Sequence, residues 1–223
     1  MIKKISAEIL GTLFLGASVV GSGLMVTILT QDIALQLFIN AITTVFVLFL
    51  IITLFSPVSG AHFNPLVTIV ELFYKRISIK DAFFYILSQF IGTSAGVVLA
   101  NLMFNRTAIQ QSTYARSGNY LLIAEVVATA GLIMSILLLR HQNRGSMAAV
   151  IVPAWIGAAY IFTSSTSFAN PAITLARTLS ESFTGISIKS VPLFIAAQCV
   201  GALIGVLLTL LLTAGKKEED VIA

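Results

Sequence analysis

Charge is scarce in this sequence. Thirteen Lys and Arg and nine Asp and Glu make up 10% of 223 residues, against roughly 25% in a soluble domain. With 57% apolar residues and a mean hydropathy of +0.99, the chain has too few polar groups to cover a water-soluble globule. It reads as an integral membrane protein, which excludes disorder, nucleic-acid binding and a small disulfide scaffold. The net charge of +4 then belongs to loops and orientation. Cysteine occurs once, at Cys199, so no internal disulfide forms and the redox compartment is unreadable. Histidine occurs twice, as His62 and His141, without acid or thiol at ligand spacing; this speaks against a metal site. No nucleophile–base pair or phosphate loop is visible, so neither an enzyme nor a cofactor is expected.

Long apolar runs are what the sequence does have. A helix needs about 20 apolar residues to cross a hydrocarbon core of roughly 30 Å. Six stretches qualify, at about 5–29, 33–55, 81–104, 119–139, 146–163 and 190–214. Met1-Ile2-Lys3-Lys4 before the first resembles a signal peptide, but Glu8, several glycines and the return of a related segment later make it a span. Two further stretches, after Asn64 to about Tyr74 and after Asn170 to about Glu181, are too short to cross. Nine cations (Lys3, Lys4, Lys75, Arg76, Lys80, Arg140, Arg144, Lys216, Lys217) share a side with the termini, and four (Arg106, Arg116, Arg177, Lys189) lie opposite. The positive-inside rule therefore puts both termini in the cytoplasm, and the cell (inner) membrane is the expected location. His141 falls in a cationic cytoplasmic turn, and Lys216–Asp220 reads as a solvated end.

The chain also repeats itself. Ala7-Glu8, Phe63-Asn64-Pro65-Leu66 and Gln89-x-x-Gly92-x-x-x-Gly96 return as Ala124-Glu125, Phe168-Ala169-Asn170-Pro171-Ala172 and Gln198-x-x-Gly201-x-x-x-Gly205. Each half, about 1–104 and 119–214, holds three spans, so the second enters the membrane from the opposite face. Such inverted repeats place a site at the midplane. Each short segment opens on Asn-Pro, an N-cap followed by a helix-starting proline. One half-helix dips in from each face, and a loop at that depth must be buried or line a wet cavity. Two helix N-termini, each carrying about +0.5 charge, repel cations there, while the amides of Asn64 and Asn170 offer donors to neutral solutes. Ser59-Gly60-Ala61-His62 and Ser165-Thr166-Ser167 are expected to line the lumen with carbonyls and hydroxyls. The residues thus point to a channel for small uncharged polar solutes and water within one transmembrane domain, 1–223.

With those motifs in place, the whole chain resembles the aquaporin (major intrinsic protein) family. The resemblance implies an all-α bundle of six transmembrane helices and two re-entrant half-helices, with Asn64, Pro65, Leu66, Asn170, Pro171 and Ala172 at the midplane. It also implies a homotetramer in membrane lipid, each subunit with its own pore. Leu66 stands where alanine is usual, and its bulk is expected to shift the midplane geometry. The family's filter arginine, three residues after the second Asn, is Ile173 here. By family spacing the other filter positions are Thr44, Ala158 and Ser167, so the filter is expected to be wide and neutral. The stretch Thr166-Ser167-Phe168-Ala169-Asn170-Pro171-Ala172-Ile173-Thr174-Leu175-Ala176-Arg177 is similar to a bacterial subgroup associated with arsenic resistance, which implies passage of undissociated arsenite or polyol-like solutes.

Several residues carry two readings. Glu8 and Glu125 are proton relays or acceptors for the loop N–H groups; the equal need of both halves favours the brace. Arg177, one turn beyond Ile173, points a cation into the outer vestibule, caps loop carbonyls or pairs with Glu181. His62 orders the first loop. The Gly92/Gly96 and Gly201/Gly205 pairs suggest close helix packing across the interface between the halves; Trp155 and most phenylalanines read as packing or lipid-facing residues. Two other functions remain: a water channel in which another side chain fills the gap left by arginine, and an ion-coupled transporter. The transporter is disfavoured because no unpaired acid lies beside the Asn-Pro caps.

Overall fold

The computed structural model describes residues 1–214; Lys216–Asp220 lies outside them. Eight α-helices follow one another: α1 (Ile2–Leu29), α2 (Ile33–Ser59), α3 (Pro65–Phe73), α4 (Ile79–Met103), α5 (Asn119–His141), α6 (Ala148–Phe162), α7 (Pro171–Ala176) and α8 (Val191–Thr213). Six apolar helical segments, with α6 extended by the turn at Gly145–Met147, are long enough to cross a membrane. Their starts follow local chemistry. Asp32 accepts a hydrogen bond from Leu35 N at 3.0 Å, and Ser78 Oγ accepts from Asp81 N at 3.0 Å, so exposed first-turn donors are capped. Gly60, at φ 87°, ends α2 in the left-handed region that a side chain resists.

The two halves are each a packed unit before they meet. α1 lies along α4 and α5 along α8, while α2 meets α6 across the halves. Small residues set the first two approaches. A Cβ on Gly96 would sit 2.1 Å from Leu13 O, and one on Gly92 2.4 Å from Ile9 O. In the second half a Cβ on Gly201 would meet Val126 O at 2.5 Å, and on Gly205 Ala130 O at 2.6 Å. The glycine pairs thus act inside each repeat, on α1–α4 and α5–α8, and not across the halves as the sequence suggested; the span that needs the close approach is the one three elements earlier. Gly96→Leu is expected to cost about 3 kcal/mol or more through forced separation of α1 and α4. A thermal melt of the detergent-solubilised protein checks this; a midpoint equal to the parent's would contradict it.

The outside is greasy, and an otherwise apolar interior buries several polar and charged side chains. Phe14, Phe38, Phe46, Phe49, Phe83 and Phe162 are exposed, while Glu8, Gln89, Glu125 and Gln198 are fully buried. Trp155 packs over Gly131 and donates Nε1–H to Ala128 O at 2.8 Å. α7 is shorter than the sequence indicated. It stops at Ala176, and Arg177–Leu179 tightens into a 3₁₀ turn. Arg177 Nε donates to Thr184 O there, pulling the chain off the helical path. Glu181 consequently lies off the helix and accepts from Thr113 N and Oγ1, at 2.5 and 2.9 Å, so the Arg177–Glu181 pairing is absent.

Candidate functional site: a braced polar lumen

Two strained loops lead into α3 and α7. Asn64 Oδ1 accepts from Leu66 N at 2.9 Å, and Asn170 Oδ1 accepts from Ala172 N at 2.9 Å, the capping geometry the Asn-Pro pairs indicated. The residues three and one before each Asn take positive φ: Ala61 (52°) and Phe63 (50°), then Ser167 (51°) and Ala169 (45°). Each costs about 1–2 kcal/mol for a residue with a side chain, so something must hold the loops. Glu8 does so for the first. Its carboxylate accepts from His62 N (3.0 Å), Phe63 N (2.8 Å), Ser59 Oγ (2.7 Å) and Gln89 Nε2 (2.8 Å). Glu125 matches it in the second, accepting from Phe168 N (2.9 Å), Ala169 N (2.9 Å) and Gln198 Nε2 (2.7 Å). Gln89 and Gln198 also donate to Thr68 and Thr174, each four residues past its Asn. His62 Nδ1 lies 3.0 Å from Thr68 Oγ1 and so joins the same loop network.

The loops then lock to each other. Asn64 Nδ2 donates to Ala169 O at 2.8 Å, and Asn170 Nδ2 donates to Phe63 O at 2.9 Å. The two caps are thus in contact through reciprocal bonds. An amide carries two N–H groups, so each asparagine keeps one free. A cavity of about 550 Å³ passes both asparagines and reaches Arg140 and Ser146 on one side and Tyr160 and Arg177 on the other.

Most of the residues named from sequence come together here, and some do not. Asn64, Asn170, Thr44, Ser167, Ile173, His62 and Arg177 line this cavity. Pro65, Leu66, Pro171 and Ala172 are buried behind it. Leu66 joins a cluster with Ile133, Leu137 and Val206 and does not border the cavity. Ala158 is exposed on the outer face of α6, which corrects its assignment to the filter. Two residues are about 200° of helix, so Tyr160 faces inward instead, its hydroxyl 3.3 Å from Thr44 Oγ1. The hydroxyls of Ser59 and Ser165 do not line the lumen: Ser59 bonds to Glu8 and Ser165 Oγ accepts from Ser167 N at 3.3 Å. Thr166 is likewise outside the lining. His141 is exposed and apart from it. Among the described residues no cluster of His, Cys, Asp or Glu could hold a metal ion.

Charged groups at the two mouths were not foreseen as a set. Glu71 and Arg177 each lie seven residues past their Asn, in opposite leaflets by the inverted symmetry. Glu71 is buried and paired, with Arg140 Nε at 2.8 Å and Arg76 Nη1 at 3.4 Å. Arg177 is also buried, but its guanidinium rests 3.6 Å from the centroid of Phe168 and Nη1 has no partner. Arg116 reaches the same ring, at 4.9 Å. Burial lowers the pKa of Arg116, and Tyr114, Glu125 and Tyr160 oppose that; an arginine so placed stays protonated.

The model of the family described as "Major intrinsic protein" matches residues 1–167 and 161–223. An aquaglyceroporin of Rhizobium meliloti is 42% identical over 200 residues, covering 90% of this chain and 85% of that protein. An aquaglyceroporin of Toxoplasma gondii is 31% identical over 139 residues, 60% of this chain and 52% of that one. In three dimensions the chain is similar to the aquaglyceroporin of Plasmodium falciparum, with a TM-score of 0.67 over 92% of this chain and 93% of that chain at 19% identity, a likeness of fold. Six apolar helices, two Asn-capped half-helices joined at their tips and these matches carry one conclusion: the chain belongs to the major intrinsic protein family, multi-pass membrane channels and not enzymes.

Proposed function

We propose that this channel passes water and small uncharged polyol-like solutes, glycerol and undissociated arsenite among them, through a filter whose arginine position is aliphatic. The observation that carries the reading is the reciprocal asparagine pair set against a mostly neutral lining. Each free amide N–H is a donor for a solute hydroxyl, while Leu15, Leu48, Ile156 and Ile173 offer an apolar wall to its carbon skeleton. Among the described residues no carboxylate lines the cavity to neutralise a permeating cation. Thr44, Ser167, Ile173 and Tyr160 form the outer filter in this reading, with both termini cytoplasmic, the inner membrane as location and a homotetramer as assembly. The kinship with a protein named aquaglyceroporin supports the solute class.

A narrower reading has its own support. Tyr160 and Arg177 border the lumen beside Ile173 and are the kind of side chains that close a gap left by arginine, which would make a water channel. Proteoliposome swelling with water, glycerol and arsenite separates the two: glycerol and arsenite flux selects the wide filter, and water flux alone selects the narrow one. Saturable uptake against a gradient driven by pH or sodium would overturn both. Ile173→Arg should lower glycerol flux about tenfold, since it fills the apolar wall with a charged head that must stay solvated. Water flux should fall less, and an equal loss of both would contradict a specific filter role.

A further inference from the structure

We propose that the outer vestibule contains a binding site for a small planar monoanion, of the carboxylate or nitrate class, centred on Arg177, and that its occupation obstructs solute flux. In its flux measurement the proposal rests on the channel reading; in its binding measurement it does not.

Arg177 is 2% exposed, yet among the described residues no carboxylate pairs with it. Buried charges are paired as a rule, because an uncompensated one is costly. Its Nε donates to the carbonyl of Thr184, and Nη1 finds no acceptor among the described residues. The neighbouring cation makes the imbalance worse. Arg116 spends Nε on Gly185 O at 2.9 Å and Nη2 on Phe183 O at 3.3 Å, both neutral. Two guanidinium groups therefore share the ring of Phe168, held by three consecutive carbonyls of one loop.

No acid among the described residues forms an ion pair with either arginine, and Glu125 reaches both only through its longer-range charge. Glu125 accepts from three donors of the loop and Gln198, and Glu181 accepts from Thr113. The inverted repeat shows what a balanced version looks like, since Glu71 at the matching register is paired with Arg140 and Arg76. Among the described residues Arg177 is the arginine that borders the cavity without an ion-pair partner, so a small anion entering from outside meets positive charge beside an aromatic wall, with the buried Nη1 behind it as a spare donor. A guanidinium recognises planar oxyanions through parallel N–H donors. Thr44 and the Tyr160 hydroxyl lie in the same lumen, so an anion held at Arg177 stands in the solute's path.

The test uses the purified full chain with sodium nitrate or sodium formate, against sodium gluconate at the same ionic strength as a bulky carboxylate control. In detergent, nitrate and formate should raise the melting temperature progressively with concentration, as a ligand of the folded state must, and gluconate should not. In proteoliposomes the same two salts should reduce glycerol efflux with a half-effect at about 10 mM, the range of a single charge-assisted pair. Arg177→Met should abolish both responses, and Arg177→Lys, which keeps charge and loses the planar fork, should shift the half-effect upward about tenfold. Equal behaviour of all three salts with the parent protein overturns the site without any variant. So does an anion response that survives in Arg177→Met. Anion-dependent melting in a preparation that passes no solute would support the site and count against the channel reading.

Discussion

Glu125→Leu should melt about 10 °C or more below the parent protein. Three donors point at this carboxylate, two of them backbone N–H groups of a loop with residues at positive φ. Hydrogen bonds to a charged acceptor are each worth about 1.5–3 kcal/mol, and leaving the donors buried and unpaired costs more than the bonds contribute. Non-additivity reduces the sum, and a loss of about 4 kcal/mol corresponds to that shift for a chain of this size. The leucine itself would pack well; the damage comes from Phe168 N, Ala169 N and Gln198 Nε2 losing their acceptor. Glu125→Gln keeps an amide oxygen for some of them, while its own N–H₂ opposes the remaining donor, so it should fall between. Melting of the solubilised protein by loss of its gel-filtration peak measures this. The same pair of variants tests the proton-relay reading of Glu125. A relay predicts that Glu125→Gln abolishes transport at unchanged melting temperature, and that result would displace the brace.

How the sequence announced this site depended on whether a residue's neighbours are close in the chain or distant. The half-helices were legible because Asn-Pro is a local signal: cap and first-turn proline act within two residues. Glu8 and Glu125 were legible because an acid inside an apolar span has few roles, and their recurrence in both halves selected one. The reciprocal bonds Asn64–Ala169 and Asn170–Phe63 follow from inversion only once the two loops are known to touch, and no local pattern states that contact. Ala158 was misplaced because its position was carried over by family spacing, and a span with little polar contrast gives no face to check it against. α6 is apolar all round, so a shift of two residues carried the assignment from the lumen to the lipid side, and Tyr160 was passed over. The glycine pairs announced close packing but not the partner helix, which depends on α1 and α5 running alongside. Glu71 escaped notice for a different reason. Its register, seven after Asn64, matches Arg177 after Asn170, but opposite charges at matched positions do not look like a repeat. The signal was there as a spacing and was hidden by the change of residue type.

That mismatch of charge gives the second large expected effect. Arg177→Met should raise cation permeability about thirtyfold in proteoliposomes, read as a reversal potential and as proton leak with an entrapped dye. Around 8 Å from a permeating ion, one unit charge at an effective dielectric of 20 contributes about 2 kcal/mol, which is a factor of about 30 in a rate. The estimate applies to Arg177 and not to Arg140, although both border the cavity. Arg140 is tied to Glu71 at 2.8 Å and presents a dipole, whereas Arg177 presents a net charge. Removing Arg140 would leave Glu71 buried behind the lining and paired with Arg76 alone, so it should change cation permeability less than removing Arg177 does. Methionine at 177 retains a long apolar stem against Phe168 but gives up the bond to Thr184 O, so Arg177→Lys belongs beside it. Lysine should restore most of the cation exclusion, because repulsion needs charge and not a planar fork. Cation permeability within twofold of the parent, in an Arg177→Met protein that still conducts water, would assign Arg177 to holding the outer loop alone.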